Sequence, residues 1–207
     1  MKVVLVRHAE TEWNQRGIIQ GHRDSPLTAR GALETSALLA ALTDYPIACV
    51  YASPLGRAWQ MGQALAGHFH CPLVANTALK EQAFGRYEGM PSAQLRDQHP
   101  YEAAALFAQD AAFCPPGGES LAQASQRIID FLQQQQKTAA HQTLCIVTHG
   151  QVSQGVLALL KEGKIDNFSR YAQPNASYSV LDMMEGKCIT LRWGIATHLR
   201  HLASINK

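Results

Sequence analysis

Three short apolar runs, separated by stretches with helical periodicity, constrain the fold of this 207-residue chain most strongly. They lie at residues 3–6, 48–52 and 144–147 and are rich in Val, Ile, Leu and Ala. Short continuous apolar runs are typical of strands that are buried on both faces of a parallel sheet. Strands that alternate with helices predict an α/β fold with three layers, α/β/α, and a mostly parallel central sheet.

Helix-capping signals divide the stretches between these runs. Thr28 is a suitable N-cap for an apolar-periodic segment that ends before Pro46, and Ser120 begins a capping box with Gln123. Two alternating stretches at residues 178–182 and 188–193, connected through Glu185 and Gly186, predict a C-terminal hairpin.

The middle of the chain interrupts the strand–helix alternation. Residues 85–118 are rich in Ala and Pro and contain no run typical of a strand. We expect this segment to be a helical insertion that lies as a cap over one edge of the sheet. The whole chain, residues 1–207, is then expected to form one domain.

Composition and charge exclude several classes of protein. The 46% of hydrophobic residues argues against disorder, and 18 Lys and Arg against 16 Asp and Glu are too balanced for a nucleic-acid partner. The apolar run before Arg7 is shorter than the ~7–15 residues of a signal peptide, so no membrane partner is expected. Five cysteines without a CxxC pair, together with this N-terminus, indicate a cytoplasmic protein.

Cationic or potentially cationic residues follow each of the three predicted strands. Arg7 and His8 follow the first run, Arg57 lies shortly after the second, and His149 and Gly150 follow the third. Because ligands of open α/β sheets bind at the carboxyl ends of the strands, these groups are expected at one edge. Without a matching acid nearby, such a group of cations predicts a bound anion, and the helix after Gly150 makes phosphate the best candidate. Taken singly, each residue also fits a structural or surface role.

Six ordered blocks carry a resemblance to a known family. They occupy residues 7–14, 20–31, 53–58, 79–85, 116–120 and 147–150. In this order they resemble the histidine phosphatase superfamily, which includes cofactor-dependent phosphoglycerate mutase, and the phosphatase branch in particular. Ala9 stands where the first signature usually has Gly.

The resemblance implies a role for each matching residue. It makes His8 the nucleophile that becomes phosphorylated and Glu81 the general acid and base. The groups that bind the phosphoryl oxygens would be Arg7, Arg57 and His149. The substrate pocket would be lined by Asn14, Gln20, Gly21 and the backbone of Gly150.

No metal site or other cofactor is predicted. His68, His70 and Cys71 lie close together in sequence, and His198 and His201 are three residues apart, but no four-ligand spacing is recognisable. Two arginines already supply the fixed positive charge that Mg²⁺ supplies in other phosphoryl-transfer enzymes.

Three functions remain open at this stage. The favoured one is a metal-independent, histidine acid phosphatase-type phosphomonoesterase that hydrolyses a small phosphorylated metabolite through phospho-His8. A phosphoglycerate mutase-type phosphoryl transfer is the alternative, and a non-catalytic phosphate-binding module is a third. Gln82 stands where the mutase branch has Arg, and residues 106–116 lack Lys and Arg, although Arg16, Arg23 or Arg86 would be able to supply charge. The sequence leaves the substrate and the formation of a homo-oligomer open.

Overall fold

A six-stranded mixed sheet forms the centre of the computed structural model, which describes residues 1–185 and 187–204. The strand order is β3-β2-β4-β1-β5-β6. The strands are β1 (Lys2–Arg7), β2 (Ile47–Ala52), β3 (Leu73–Ala75), β4 (Thr143–Thr148), β5 (Tyr178–Met184) and β6 (Lys187–Ile195). The first four are parallel, and β5 and β6 are antiparallel to their neighbours. The predicted mostly parallel sheet is therefore confirmed.

Helices cover both faces of the sheet. They are α1 (Glu12–Gln15), α2 (Ala29–Leu42), α3 (Gly56–Phe69), α4 (Ser92–Gln98), α5 (Pro100–Ala104), α6 (Leu121–Thr138) and α7 (Gly150–Glu162). Apolar residues of α6 and α7 form one core with the sheet, and those of α2 and α3 form a second core on the opposite face. This is the predicted α/β/α arrangement.

The predicted N-caps are present. The Thr28 hydroxyl accepts a hydrogen bond from the Gly31 amide at 2.9 Å, and α2 ends at Leu42, before Pro46. Ser120 and Gln123 form the complete capping box at the start of α6. These boundaries follow from local hydrogen bonding, which is why short-range spacing was sufficient to predict them.

Helical turns occupy much of the central segment, defined as residues 85–118. It contains a 3₁₀ turn (Gly85–Tyr87), α4, α5 and a π-helical turn (Ala105–Gln109). Side chains of this segment form a third, smaller core with Ile19 and Phe84. The expected helical character of the segment is observed.

The sequence predicted the strands at one edge of the sheet, β5 and β6, but not the strand at the other edge, β3. The edge strand β3 has three residues and was not predicted, because so short a run has no distinctive periodicity. The C-terminal hairpin is present as the antiparallel pair β5 and β6, whereas Gly186 lies outside the described residues. No helix of the described chain is both long enough and apolar enough to cross a lipid bilayer.

Candidate active site

The carboxyl ends of three adjacent strands bring the predicted site residues together. In the order β2-β4-β1, the residues after the strands are Ser53, His149 and His8. The His8 and His149 ring centroids lie 5.2 Å apart, although the residues are far apart in the chain. The predicted convergence at one edge of the sheet is therefore observed.

His8 is a buried, neutral imidazole with one nitrogen lone pair available. Its Nδ1 lies 2.8 Å from the Ala9 carbonyl oxygen, which only accepts hydrogen bonds, so Nδ1 carries the proton. The other nitrogen, Nε2, accepts a hydrogen bond from Arg57 Nε at 3.3 Å. Burial lowers the pKa of His8 well below its usual 6.5, and the positive charges of Arg57 and Arg7 lower the pKa further.

Arg57 is fixed in place by acceptors on the loop before α2. It is 2% exposed, and it donates to the carbonyl oxygens of Gly21 at 2.8 Å and Arg23 at 2.9 Å. It also forms an ion pair of 2.7 Å with Asp24. The expectation that the cations lack a matching acid is therefore wrong for Arg57. The error arose because Asp24 comes from a loop that precedes Arg57 by 33 residues.

Asp24 also holds the start of helix α3. Leu55, the N-cap residue, makes no side-chain capping bond, and the Asp24 carboxylate instead accepts from the backbone amides of Gly56 and Arg57. The same side chain therefore orients the guanidinium and caps the helix that carries it. Asp24 lies within a block matched to the family, but only the fold reveals this function.

Arg7 is half-buried and packs against the first turn of α7. A Cβ added to Gly150 would lie 3.0 Å from Arg7 Cζ, so a larger residue here would require the guanidinium to move by a few tenths of an ångström. Arg7 donates to the Gln173 carbonyl oxygen, while its buried Nε has no hydrogen-bond partner among the described residues. Burial lowers the pKa of Arg7 from its usual value.

Glu81 accepts hydrogen bonds from the N-terminus of α7. Its carboxylate oxygens bond to the amides of Gln151 at 3.0 Å and Val152 at 2.8 Å, and to the amide of Gln82 at 3.0 Å. Arg127, which the sequence did not single out, donates to the Glu81 carbonyl oxygen at 2.8 Å and fixes the loop. A carboxylate is thereby placed beside the positive end of a helix dipole.

His149 is the residue before the first turn of α7 and is completely buried. Its Nε2 lies 2.8 Å from the Ser53 hydroxyl, and its buried Nδ1 has no partner in the described chain. Burial lowers the pKa of His149 well below 6.5, with the charge of Arg57 as the next cause. The ring is therefore neutral near pH 7.

Asn14 and Gln20 line the site, and both also form side-chain hydrogen bonds to neighbouring residues of the protein. Asn14 Oδ1 accepts from the Thr11 amide at 3.2 Å and from Asn175 Nδ2 at 3.2 Å, and Gln20 Nε2 donates to the Thr11 hydroxyl at 2.9 Å. Asn175 Nδ2 also donates to the His8 carbonyl oxygen at 3.0 Å. Neither Asn175 nor Gln173 carried any recognisable sequence signal, because both lie in a loop before β5.

These residues surround a cavity of about 250 Å³. The predicted site residues in its wall are Arg7, His8, Asn14, Gln20, Gly21, Arg57, Glu81 and Gly150. His149 is not part of the wall, and its ring centroid lies 5.2 Å from that of His8. The central segment contributes Ser92 and Phe107, so it covers this edge of the sheet as expected.

The other histidines singled out from the sequence lie away from this cavity. His68 is at the end of α3, with Nε2 3.5 Å from the Thr43 hydroxyl, and His198 Nε2 lies 3.0 Å from the Ala176 carbonyl oxygen. Within residues 1–185 and 187–204, no group of three or more His, Cys, Asp or Glu side chains is arranged to hold a metal ion.

Comparison with known proteins agrees with this arrangement. The chain is 31% identical over 210 residues to the metal-independent phosphoserine phosphatase of Arabidopsis thaliana, covering 100% of this chain and 86% of that protein. It is 30% identical over 168 residues to the 2,3-bisphosphoglycerate-dependent phosphoglycerate mutase of Bartonella quintana, covering 77% of this chain and 81% of that protein.

Among solved structures, YhfR of Bacillus stearothermophilus superposes with a TM-score of 0.89 at 26% identity, covering 96% of this chain and 99% of that one. The model of the histidine phosphatase superfamily (branch 1) matches residues 3–196, nearly the whole of the described chain. This match includes both histidines at the sheet edge, and the chain therefore belongs to the histidine phosphatase superfamily.

Proposed function

We propose that this protein is a metal-independent phosphatase that hydrolyses small phosphomonoesters in the cytoplasm through a phosphohistidine on His8. The observation that carries the proposal is the state of His8. Its Nδ1 proton is held by the Ala9 carbonyl, so Nε2 carries no proton and accepts a hydrogen bond from Arg57, one of two fixed guanidinium groups. A neutral imidazole whose Nε2 is unprotonated is the form that attacks phosphorus.

The binding site for the transferred phosphoryl group is supported by unpaired buried donors. Arg7 Nε and His149 Nδ1 lack partners in the described chain, although buried polar atoms are nearly always hydrogen-bonded. A phosphoryl oxygen in the cavity would satisfy Arg7 Nε, because Arg7 lines the cavity wall. The positive end of α7 adds backbone dipoles that favour an anion at the same place.

In the first step, the lone pair of His8 Nε2 attacks phosphorus and the bond between phosphorus and the ester oxygen breaks. The ester oxygen leaves with that electron pair and takes a proton from the carboxyl group of Glu81. Arg7 and Arg57 stabilise the charge on the equatorial oxygens.

In the second step, water attacks the phosphorus of phospho-His8. Glu81 takes a proton from this water, the P–N bond breaks, and its electron pair returns to Nε2. Inorganic phosphate leaves, and both His8 and Glu81 regain their starting protonation.

The charge of the cavity favours hydrolysis over mutase chemistry. In the described chain, the arginines of the cavity wall are Arg7 and Arg57, and both are required by the transferred phosphoryl group. Arg16, Arg23 and Arg86 do not line the cavity, and Arg86 instead pairs with Glu102 at 3.2 Å. Among the described residues, no further Lys or Arg lies in the wall to hold the carboxylate of phosphoglycerate, so this observation supports the phosphatase branch.

Pulse labelling tests the proposal. Phenyl phosphate labelled with ³²P should transfer label to the wild-type protein, in a linkage that is stable in alkali and labile in acid, as phosphohistidine is. His8→Asn should lose both label and turnover, whereas His68→Asn, at the end of α3, should retain both. Turnover by folded His8→Asn would overturn the proposal, and binding of phosphate without turnover by the wild type would favour the non-catalytic module.

A second assay separates the two catalytic alternatives. With 3-phosphoglycerate as substrate, enolase coupling measures formation of 2-phosphoglycerate, and a phosphate assay measures hydrolysis. We expect phosphate release to exceed isomerisation, without stimulation by 2,3-bisphosphoglycerate. Isomerisation faster than phosphate release would identify a mutase.

A further inference from the structure

Part of the wall of the catalytic cavity is apolar. Phe84 and Phe107 both line the cavity, and their ring centroids are 6.1 Å apart with planes inclined at 52°. Ile19 also lines the cavity. Ile19 and Phe84 belong to the third core, and Phe107 packs against that core. The apolar surface is therefore the outer face of a packed core, which makes it a pre-formed binding surface.

The polar contacts of Gln151 fix this surface relative to the catalytic groups. Its side chain donates to the Leu106 carbonyl oxygen at 2.8 Å, next to Phe107 in the π-helical turn. Its backbone amide donates to the Glu81 carboxylate at 3.0 Å. Gln151 thus connects the turn that carries Phe107 with Glu81, the proposed general acid and base. The distance between Phe107 and Glu81 is therefore constrained.

The charges around this surface disfavour an anionic leaving group. Arg57 already donates to Gly21, Arg23, Asp24 and His8, and Arg7 donates to the Gln173 carbonyl. Glu81, the acidic residue of the wall among those described, would repel a carboxylate. A substrate carboxylate placed against Phe84 and Phe107 would lose hydration without gaining an ion pair, which is unfavourable.

We propose that Phe84, Phe107 and Ile19 form a leaving-group subsite for an uncharged alcohol that carries an aromatic or similarly flat apolar ring. This inference rests on the proposed phosphatase function and narrows its substrate class. Phosphorylated hydroxy acids and amino acids, whose leaving groups carry a carboxylate, are poor substrates. Stacking against the two inclined rings, together with burial of the substrate ring, supplies the selectivity.

Matched substrates test the charge and the ring separately. We would compare 2-phenylethyl phosphate, 2-(4-carboxyphenyl)ethyl phosphate and ethyl phosphate, whose leaving groups are all primary alcohols. The kcat/KM for 2-phenylethyl phosphate is expected to exceed that for each of the other two by about tenfold or more. Equal or faster hydrolysis of the carboxylated ester would overturn the charge argument, and equal hydrolysis of ethyl phosphate would overturn the ring argument.

Variants locate the preference in the subsite. In Phe107→Ala, the ratio of kcat/KM for 2-phenylethyl phosphate to that for ethyl phosphate should fall at least about fivefold, mainly through KM. Phe107→Leu, which keeps an apolar side chain, should lose less of the ratio. Tyr101→Ala removes an aromatic ring that is 90% exposed on α5 of the same segment and should leave the ratio unchanged. Because both substrates are assayed on one sample, a partly unfolded variant does not alter the ratio.

The outcomes also separate this inference from the function on which it rests. An unchanged ratio in Phe107→Ala would reject the subsite while phosphate release and phospho-His8 still support a phosphatase. Absence of phosphate release from every ester, with no labelled His8, would reject the phosphatase and the subsite together.

Discussion

Arg57 donates its Nε proton to Nε2 of His8 across 3.3 Å, so a guanidinium group contacts the lone pair assigned to attack phosphorus. The contact requires a neutral imidazole, because a protonated Nε2 would have no lone pair to accept the bond. The same fixed positive charge disfavours imidazolium and attracts the phosphate. The proposed nucleophile and its proposed electrostatic stabiliser are therefore in contact before any substrate binds.

Stability should depend on pH through the two buried histidines. The pKa values of His8 and His149 lie well below 6.5 in the folded protein, whereas an unfolded chain binds these protons near pH 6.5. Above pH 6.5 both states are neutral. As the pH falls below 6.5 only the unfolded state gains protons, so the free energy of unfolding decreases by up to about 1.4 kcal/mol per pH unit for each histidine.

Urea denaturation at pH 7.5, 6.5 and 5.5 measures this effect. Replacing His149 by Asn should reduce the decrease between pH 6.5 and 5.5, while His68→Asn should not. Parallel pH profiles for the wild type and His149→Asn would contradict the assignment of a buried neutral histidine.

Asp24→Ala should impair both activity and stability, because this carboxylate orients Arg57 and caps α3. Loss of a charge-assisted hydrogen bond, about 1.5–3 kcal/mol, predicts a ten- to hundredfold lower kcat/KM for phenyl phosphate. Loss of the cap should lower the free energy of unfolding by about 1 kcal/mol. Asp44→Ala, at an exposed turn, is the control and should change neither quantity; full activity in Asp24→Ala would refute the positioning role.

Gly150→Ala should displace Arg7, since the added Cβ would lie 3.0 Å from the guanidinium carbon. A displaced catalytic group can cost about a hundredfold in rate, so kcat/KM should fall by about ten- to a hundredfold. Gly67→Ala is a matched control, because its Cβ would meet nothing within 4 Å in helix α3. That control should keep full activity and gain up to about 1 kcal/mol of stability by urea denaturation. Wild-type activity in Gly150→Ala would contradict this prediction, because it would show that the added Cβ does not displace Arg7 from its working position.

Activity should persist without divalent metal ions, because Arg7, Arg57 and the N-terminus of α7 supply the positive charge at the phosphate site. Extended dialysis against EDTA is expected to change phenyl phosphate turnover by less than about twofold, whereas metals contribute several kcal/mol in enzymes that depend on them. Vanadate should inhibit by adopting the five-coordinate geometry next to His8. Loss of activity on chelation, restored by Mg²⁺ or Zn²⁺, is the result that would contradict this prediction.

The sequence by itself determined the elements whose signals are local. Apolar runs identified the cores of β1, β2 and β4, and capping residues Thr28 and Ser120 placed the starts of α2 and α6. Because parallel strands present their carboxyl ends at one edge, the ends of these runs also identified His8 and His149 as neighbours. Family motifs added Glu81, which no periodicity would have selected.

Only the tertiary structure decided how these groups are held and what else surrounds them. Arg127 supports Glu81 from 46 residues away, and Asp24 supports Arg57 from 33 residues away. Phe107 reaches the cavity through the packing of the third core. Such contacts depend on the relative placement of distant segments. That placement is determined by the burial of whole faces of the sheet and helices. The residues next to a given position in the sequence do not indicate which distant segment it will contact.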